Sequence, residues 1–371
     1  MPLLKPFRAL RYDEGAAGPL DDLVAPPYDV ITPEARVQLL ARSPWNAVRL
    51  VRPDDPAEAA RELADWQGRG VLVREEAPAV WLLEEEFAGP DGVRRTRRGI
   101  AARARLRPYG DGVVLPHEGT FAAPKEARLQ LLRATRVKPS PIFLLHHGRS
   151  PAPVGPVPPT LEATLDGVTT RLWRLDEPRA IERILAGVEG PLLIADGHHR
   201  YESALRFHEE DGSEATAHVL AVLVGIDDEG LEIFPTHRMT AGAVPDLDGR
   251  YRQTPLPGPA EAAAALAAVG RDHPAFVLLR PEGAALVEGA DQDLDTALVD
   301  SLALSDVEYT VSAAEAERAV ASGRATAAFL VRPPTVQQVE EFARAGARMP
   351  PKSTYFFPKL TSGLLLSPFD E

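Results

Sequence analysis

The chain has 371 residues, 44% of them hydrophobic and 26% charged, with 54 acidic against 41 basic side chains, a net charge of −13 and a pI of about 5.3. At roughly 150 residues per domain this length suggests two or three domains with real cores, and the acidic balance works against non-specific binding to a phosphate backbone, which needs a dense basic footprint. With no cysteine there is no disulfide framework, no thiolate metal site and no cysteine nucleophile. The amino terminus lacks the apolar core of a signal peptide, and no run of about 18 apolar residues occurs, so a cytoplasmic protein without a membrane partner is expected.

In chain order, 24–31 is turn-rich around Pro26-Pro27-Tyr28-Asp29, and Thr32 before Pro33 marks the N-cap of a helix reaching Leu40. Residues 47–51 read as a short strand and 55–69 as a helix. Strands at 80–87 and 97–106 flank Gly89-Pro90-Asp91-Gly92, a strong hairpin signal. The strand 113–115 ends in His117-Glu118, and a helix follows over 124–135 with Ala127, Leu129, Leu131 and Leu132 on its apolar face. A buried strand at 140–145 and a Pro-rich surface excursion at 150–159 come next, then a strand at 169–175 and a helix at 179–188. The apolar run 191–195 leads through Asp196 and Gly197 into a helix that begins at His198. Segments 217–226 and 231–235 are expected to form a hairpin around Asp227-Asp228-Glu229-Gly230. Beyond 245 the pattern predicts helix 259–269, strands 275–280 and 284–288, helices 293–303 and 312–322, strand 325–331 and helix 334–345, before a Pro-flanked aromatic loop at 349–360. Hairpins and helices without strict βαβ alternation argue for an α+β protein, divided into 1–110, 111–243 and 244–371.

The densest chemistry lies at Asp196-Gly197-His198-His199-Arg200. Unsatisfied N–H groups at a helix start, beside a guanidinium, make an anion site, and the carboxylate before the glycine can hold a metal ion or take a proton. The plain structural alternative is an Asp196 N-cap with solvated histidines. Glu118, next to His117, is a second candidate carboxylate. If the fold brings it beside Asp196, the pair supplies a general base and an electrostatic partner for phosphoryl transfer. Lys125 and Arg128 share one helix face, either solvated or reaching one anion. Lys352-Ser353-Thr354 and Lys359 form a hydroxyl and ammonium cluster suited to phosphate. Thr236-His237-Arg238 is either an anion contact or a plain strand end, and Tyr28-Asp29 either faces a ligand or forms an Asx-turn. Zinc at Asp196, His198 and His199 is disfavoured, because adjacent histidines on a helix diverge and the i, i+4 spacing is missing.

These motifs carry a resemblance. Pro-Tyr-Asp-Val at 27–30, His-Glu-x-Thr at 117–120, Lys-Glu-x-Arg at 125–128, Ala-Asp-Gly-His-His-Arg-Tyr-Glu at 195–202, Pro-Thr-His-Arg at 235–238 and Lys-Ser-Thr-Tyr-Phe at 352–356 resemble an uncharacterised family, domain of unknown function 1015. Pro116-His117-Glu118, 194–200, and the pieces from Gly323 through Arg332, Pro334 and Thr335 to 351–354 resemble, in the same order, free serine kinases of the ParB/sulfiredoxin-like superfamily. The resemblance implies a ParB/sulfiredoxin-like mixed α/β core with an added N-terminal α+β region and a C-terminal α/β region. It also implies transfer of a phosphoryl group to the hydroxyl of free L-serine, with Glu118 as base and Asp196 assisting it or holding Mg2+. Gly197, His198, His199 and Arg200 would then bind the phosphates of ATP, ADP or pyrophosphate, joined by Lys125, Arg128, Lys352, Ser353 and Thr354. His117, Thr120, His237, Arg238, Tyr28 and Asp29 are candidates for the substrate side. The added amino-terminal region and an insert at 148–188 leave the donor open, and nothing in the chain specifies an oligomer. The competing reading is a nucleotide-binding ParB-like regulatory or DNA-associated module without kinase activity. The charge and the lack of a helix-turn-helix after the core stand against it. Sulfiredoxin chemistry is excluded by the absence of cysteine.

Overall fold

Val80–Ala88 alternates between buried and half-buried positions and meets Arg94–Arg105 across the Gly-Pro-Asp-Gly turn as an antiparallel hairpin, as the turn predicts. The computed structural model describes residues 2–289 and 294–369. Its contacts divide into two units, one formed by Met1–Leu231 with Pro358–Glu371 and the other by Glu232–Phe357. The protein is α+β throughout.

In the first unit the hairpin lies inside a nine-stranded mixed sheet. The order is Val114–Leu115, Leu192–Asp196, Ile142–His146, His218–Gly225, Arg94–Arg105, Val80–Ala88, Val168–Leu175 and Leu161–Leu165, and Leu4–Lys5 also pairs with the 94–105 strand. The 218–225 strand is buried at every position. A run buried on both faces belongs in the middle of a sheet, and it runs parallel to 142–146 and antiparallel to 94–105. Residues on either side of position 110 thus share one sheet. Helices Ala122–Thr135 and His198–Asp211 cover it, with Leu129, Leu132, Tyr201, Ala204 and Phe207 packed among Ile142, Leu144, Leu192, Ile194 and Val219. These contacts fix the end of the 192–196 strand and the helix that follows it.

In the second unit a six-stranded antiparallel sheet runs Arg252–Leu256, Gly283–Glu288, Ala275–Arg280, Ala327–Leu330, His237–Thr240 and Val307–Thr310. Successive residues of the 275–280 strand point to opposite faces. Val277 and Leu279 pack with Leu266, Ala316 and Val320, whereas Phe276 and Leu278 pack with Leu298, Val299 and Phe329. The expected helix 293–303 is observed as Asp295–Asp300, and its residue 293 lies outside the described residues.

Two sequence expectations are corrected. Residues 47–51 are not a strand: Val48–Val51 is one helical turn, started by Asn46, whose Oδ1 accepts from Val48 N at 2.9 Å and whose Nδ2 donates to Asp22 O and Val24 O. Segments 217–226 and 231–235 do not pair with each other. The turn between them docks on the 94–105 strand instead, where a Cβ on Gly230 would meet Thr96 O at 2.3 Å, and Glu232–Phe234 pairs with Tyr355–Phe357. Among the described residues no helix is long and apolar enough to cross a membrane.

Candidate functional site

The 192–196 strand passes into the 198–211 helix through Gly197 at φ 97°. A side chain there would be strained, and its Cβ would stand 3.1 to 3.2 Å from the Arg200 guanidinium. Glycine therefore serves both the turn and the closeness of Arg200 to the backbone. Gly197→Ala is expected to cost about 1–2 kcal/mol, read by urea denaturation; an unchanged midpoint would show that the turn relaxes without strain.

Asp196 is enclosed by cations. Its Oδ2 accepts from Arg200, its Oδ1 accepts from Lys359, and the other Arg200 terminal nitrogen donates to Pro141 O. Burial opposes ionisation of Asp196, but the Lys359 and Arg200 charges outweigh it and hold the carboxyl well below the usual carboxylate range. A depressed carboxylate contributes stability that is present above its unfolded value of about 3.9 and is lost as pH falls toward the folded one. The stability gap between wild type and Asp196→Asn should accordingly shrink from pH 7 to pH 2 in urea titrations. A constant gap would contradict the pairing.

The cluster extends toward the amino-terminal turn. Arg128 lies 4.2 Å over the Tyr28 ring and donates to Val51 O, while burial followed by the neighbouring Asp29 charge pushes the Tyr28 phenol up. A pocket of about 40 Å³, room for a few waters, lies among Tyr28, Arg128, Lys138, Ser140, Arg200 and Ala204. Among the described residues the buried Nε atoms of Arg128 and Arg200 have no hydrogen-bond partner. Two unused guanidinium donors beside a pocket suit an acceptor-rich anion.

Segment 117–125 docks on the first turns of the same helix. His117 N donates to His198 Nε2 at 3.3 Å, and Phe121 N donates to His199 Nε2 at 2.9 Å. Thr120 Oγ1 and Lys125 Nζ both donate to Glu202, at 2.6 and 2.9 Å. These bonds present Glu118, 35% exposed at its side chain, with Oε2 3.9 Å from His198 Nδ1. Tyr28, Asp29, His117, Glu118, Thr120, Lys125, Arg128 and 196–200 thus all lie in the first unit.

His237, Arg238, Lys352, Ser353 and Thr354 belong to the second unit. There Arg238 is fully buried, 3.3 Å from Asp300, and Ser353 Oγ is 2.9 Å from Thr296 Oγ1. Two first-unit residues escaped the sequence reading. Lys138 is buried, with its ammonium on His218 O and 4.1 Å over Phe369. A lone lysine between an apolar helix and an apolar strand was its only signal. Phe121, 63% exposed, stacks on His199. Among the described residues no group of three or more His, Asp and Glu side chains is arranged to hold a metal ion.

A family model described as a protein of unknown function (DUF1015) matches residues 4–253, and the chain belongs to that family. Among solved structures, a free serine kinase variant in complex with AMP is similar at 15% identity with a TM-score of 0.42, covering 72% of this chain and 91% of that one. A conserved hypothetical protein from Pyrococcus furiosus is similar at 16% identity with a TM-score of 0.37, covering 70% and 90%. SbnI with a C-terminal truncation, from Staphylococcus aureus, is similar at 12% identity with a TM-score of 0.36, covering 71% and 87%. No curated protein matches the chain.

Proposed function

We propose that the protein is a phosphotransferase that moves a phosphoryl group from ATP, ADP or pyrophosphate to the hydroxyl of free L-serine or a similar small acceptor. The observation that carries the reading is the placement of Glu118 against the helix start at Gly197, with Oε2 3.9 Å from His198, while Arg200, Lys359 and Arg128 gather in the same unit. Positioning and charge stabilisation are most of what phosphoryl transfer asks of a protein. Glu118 takes the acceptor proton, and the helix-start N–H groups with Arg128 and Arg200 bind donor phosphates.

Within this reading Asp196 acts through its partners, holding Arg200 and Lys359 in place. The residues present do not fit a magnesium ion bound directly by Asp196, because both carboxylate oxygens already face cations. His198 and His199 spend their Nε2 atoms on the 117–121 segment and serve to position Glu118. Lys352, Ser353, Thr354, His237 and Arg238 have the motif resemblance as their support.

Titration calorimetry of ATP, ADP and pyrophosphate, each with magnesium, tests the donor half. At least one donor should bind, and Arg128→Gln should weaken it by about tenfold or more, the worth of a charge-assisted hydrogen bond. Absence of binding by all three would overturn the reading.

A further inference from the structure

A cleft within the second unit is lined by none of the residues gathered around the strand-to-helix turn at 196–200. It has a volume of about 620 Å³, inside the range of ordinary small-molecule sites. Two motif pieces border it, Pro235 with His237 and Arg332 with Pro333. We propose that this cleft binds a small organic acid with an apolar body.

One wall is the alanine-rich helix Ala262–Ala268, which shows the exposed Ala263 and Ala267, one turn apart, beside the buried Leu266 and Leu330. The polar groups are donors. His237 Nδ1 accepts from Val331 N at 3.2 Å, which leaves the ring proton on Nε2 as a donor. Burial, with Arg238 adding to it, pushes this imidazole down to about 4, so the ring is neutral at pH 7. Arg271 donates to Pro333 O at 2.7 Å, and the Asp295 charge that reaches it is already bound to Arg332. Among the described residues no acidic side chain lines the cleft.

Arg332 explains why the cleft persists. It is tied to Asp295 by bonds of 2.7 and 2.8 Å and donates to the carbonyls of Leu266, Val269 and His273. One buried ion pair thereby fixes the end of the helix against the end of the 327–330 strand. With its charge spent there, Arg271 and His237 are left to meet a ligand. An apolar wall with donors and no acid complements a carboxylate on an aliphatic or alicyclic body.

Calorimetry and thermal shift with sodium octanoate, 1-octanol and inorganic phosphate test the site. Octanoate should bind and raise the melting temperature, with octanol and phosphate each weaker by about tenfold or more, the value of a charge-assisted contact. Ala263→Trp, which fills the cleft from an exposed helix position, should abolish octanoate binding while circular dichroism stays unchanged; Ala267→Trp should do the same. Arg271→Gln should weaken octanoate by about tenfold and leave octanol unaffected. No octanoate binding at millimolar concentration, equal binding of octanol, or binding unchanged in both tryptophan variants would overturn the proposal. So would a dimer that Ala263→Trp dissociates while octanoate fails to bind, since a second copy would then be the occupant.

Discussion

Under the proposed function, Glu118→Gln is expected to lower kcat for phosphoserine formation by about 10²–10⁴-fold and to leave donor affinity nearly unchanged, the range set by loss of a general base. Glutamine keeps the size and hydrogen-bonding reach of the side chain, so segment 117–125 stays docked through His198, His199 and Glu202. What disappears is the ability to accept a proton from the acceptor hydroxyl. The acidic limb of the pH–rate profile should vanish with it, a change that a merely structural glutamate would not produce. A variant with wild-type kcat would remove Glu118 from the chemistry.

Arg97→Met destabilises the protein by about 3–5 kcal/mol, the usual consequence of leaving one member of a buried ion pair without its partner. Glu85 and Arg97 have no exposed side-chain surface. Glu85 Oε2 accepts from Arg97 Nε at 2.8 Å and from a terminal nitrogen at 2.5 Å, and the same nitrogen donates to Pro358 O at 2.9 Å. Burial pushes the Glu85 carboxyl up, and the Arg97 charge opposes that shift. Methionine removes the opposing charge and also frees the backbone just before Lys359, so the clamp on Asp196 should loosen as well. Combining Arg97→Met with Glu85→Leu should recover most of the lost stability, because no unpaired charge then remains inside. Urea denaturation reads both variants, and a loss below about 1 kcal/mol for Arg97→Met would show that the charge is compensated another way.

What could be read from the chain alone was local. The 80–88 and 94–105 hairpin is written in its Gly-Pro-Asp-Gly turn, and the 196–200 turn in an apolar run followed by a glycine that must adopt positive φ. Partner choice was not written locally. The apolar run 219–224 announces a central position, yet nothing nearby says that its neighbours are 94–105 and 142–146. The 47–51 segment has the β-branched look of a strand and becomes helical because Asn46 is held by backbone carbonyls at Asp22 and Val24. The same limit applies to the site. A glycine, two histidines and an arginine after a strand mark a candidate anion-binding turn, whereas the contact of Lys359 with Asp196 and the stacking of Arg128 on Tyr28 depend on how distant segments pack.

Phosphoryl transfer to a small hydroxyl acceptor is tested most directly by mass-spectrometric detection of O-phospho-L-serine. The purified protein is incubated with L-serine and magnesium and, separately, ATP, ADP or pyrophosphate. Phosphoserine should accumulate with at least one donor and nearly disappear with Glu118→Gln. No product with any donor, or equal product from the variant, would contradict the account.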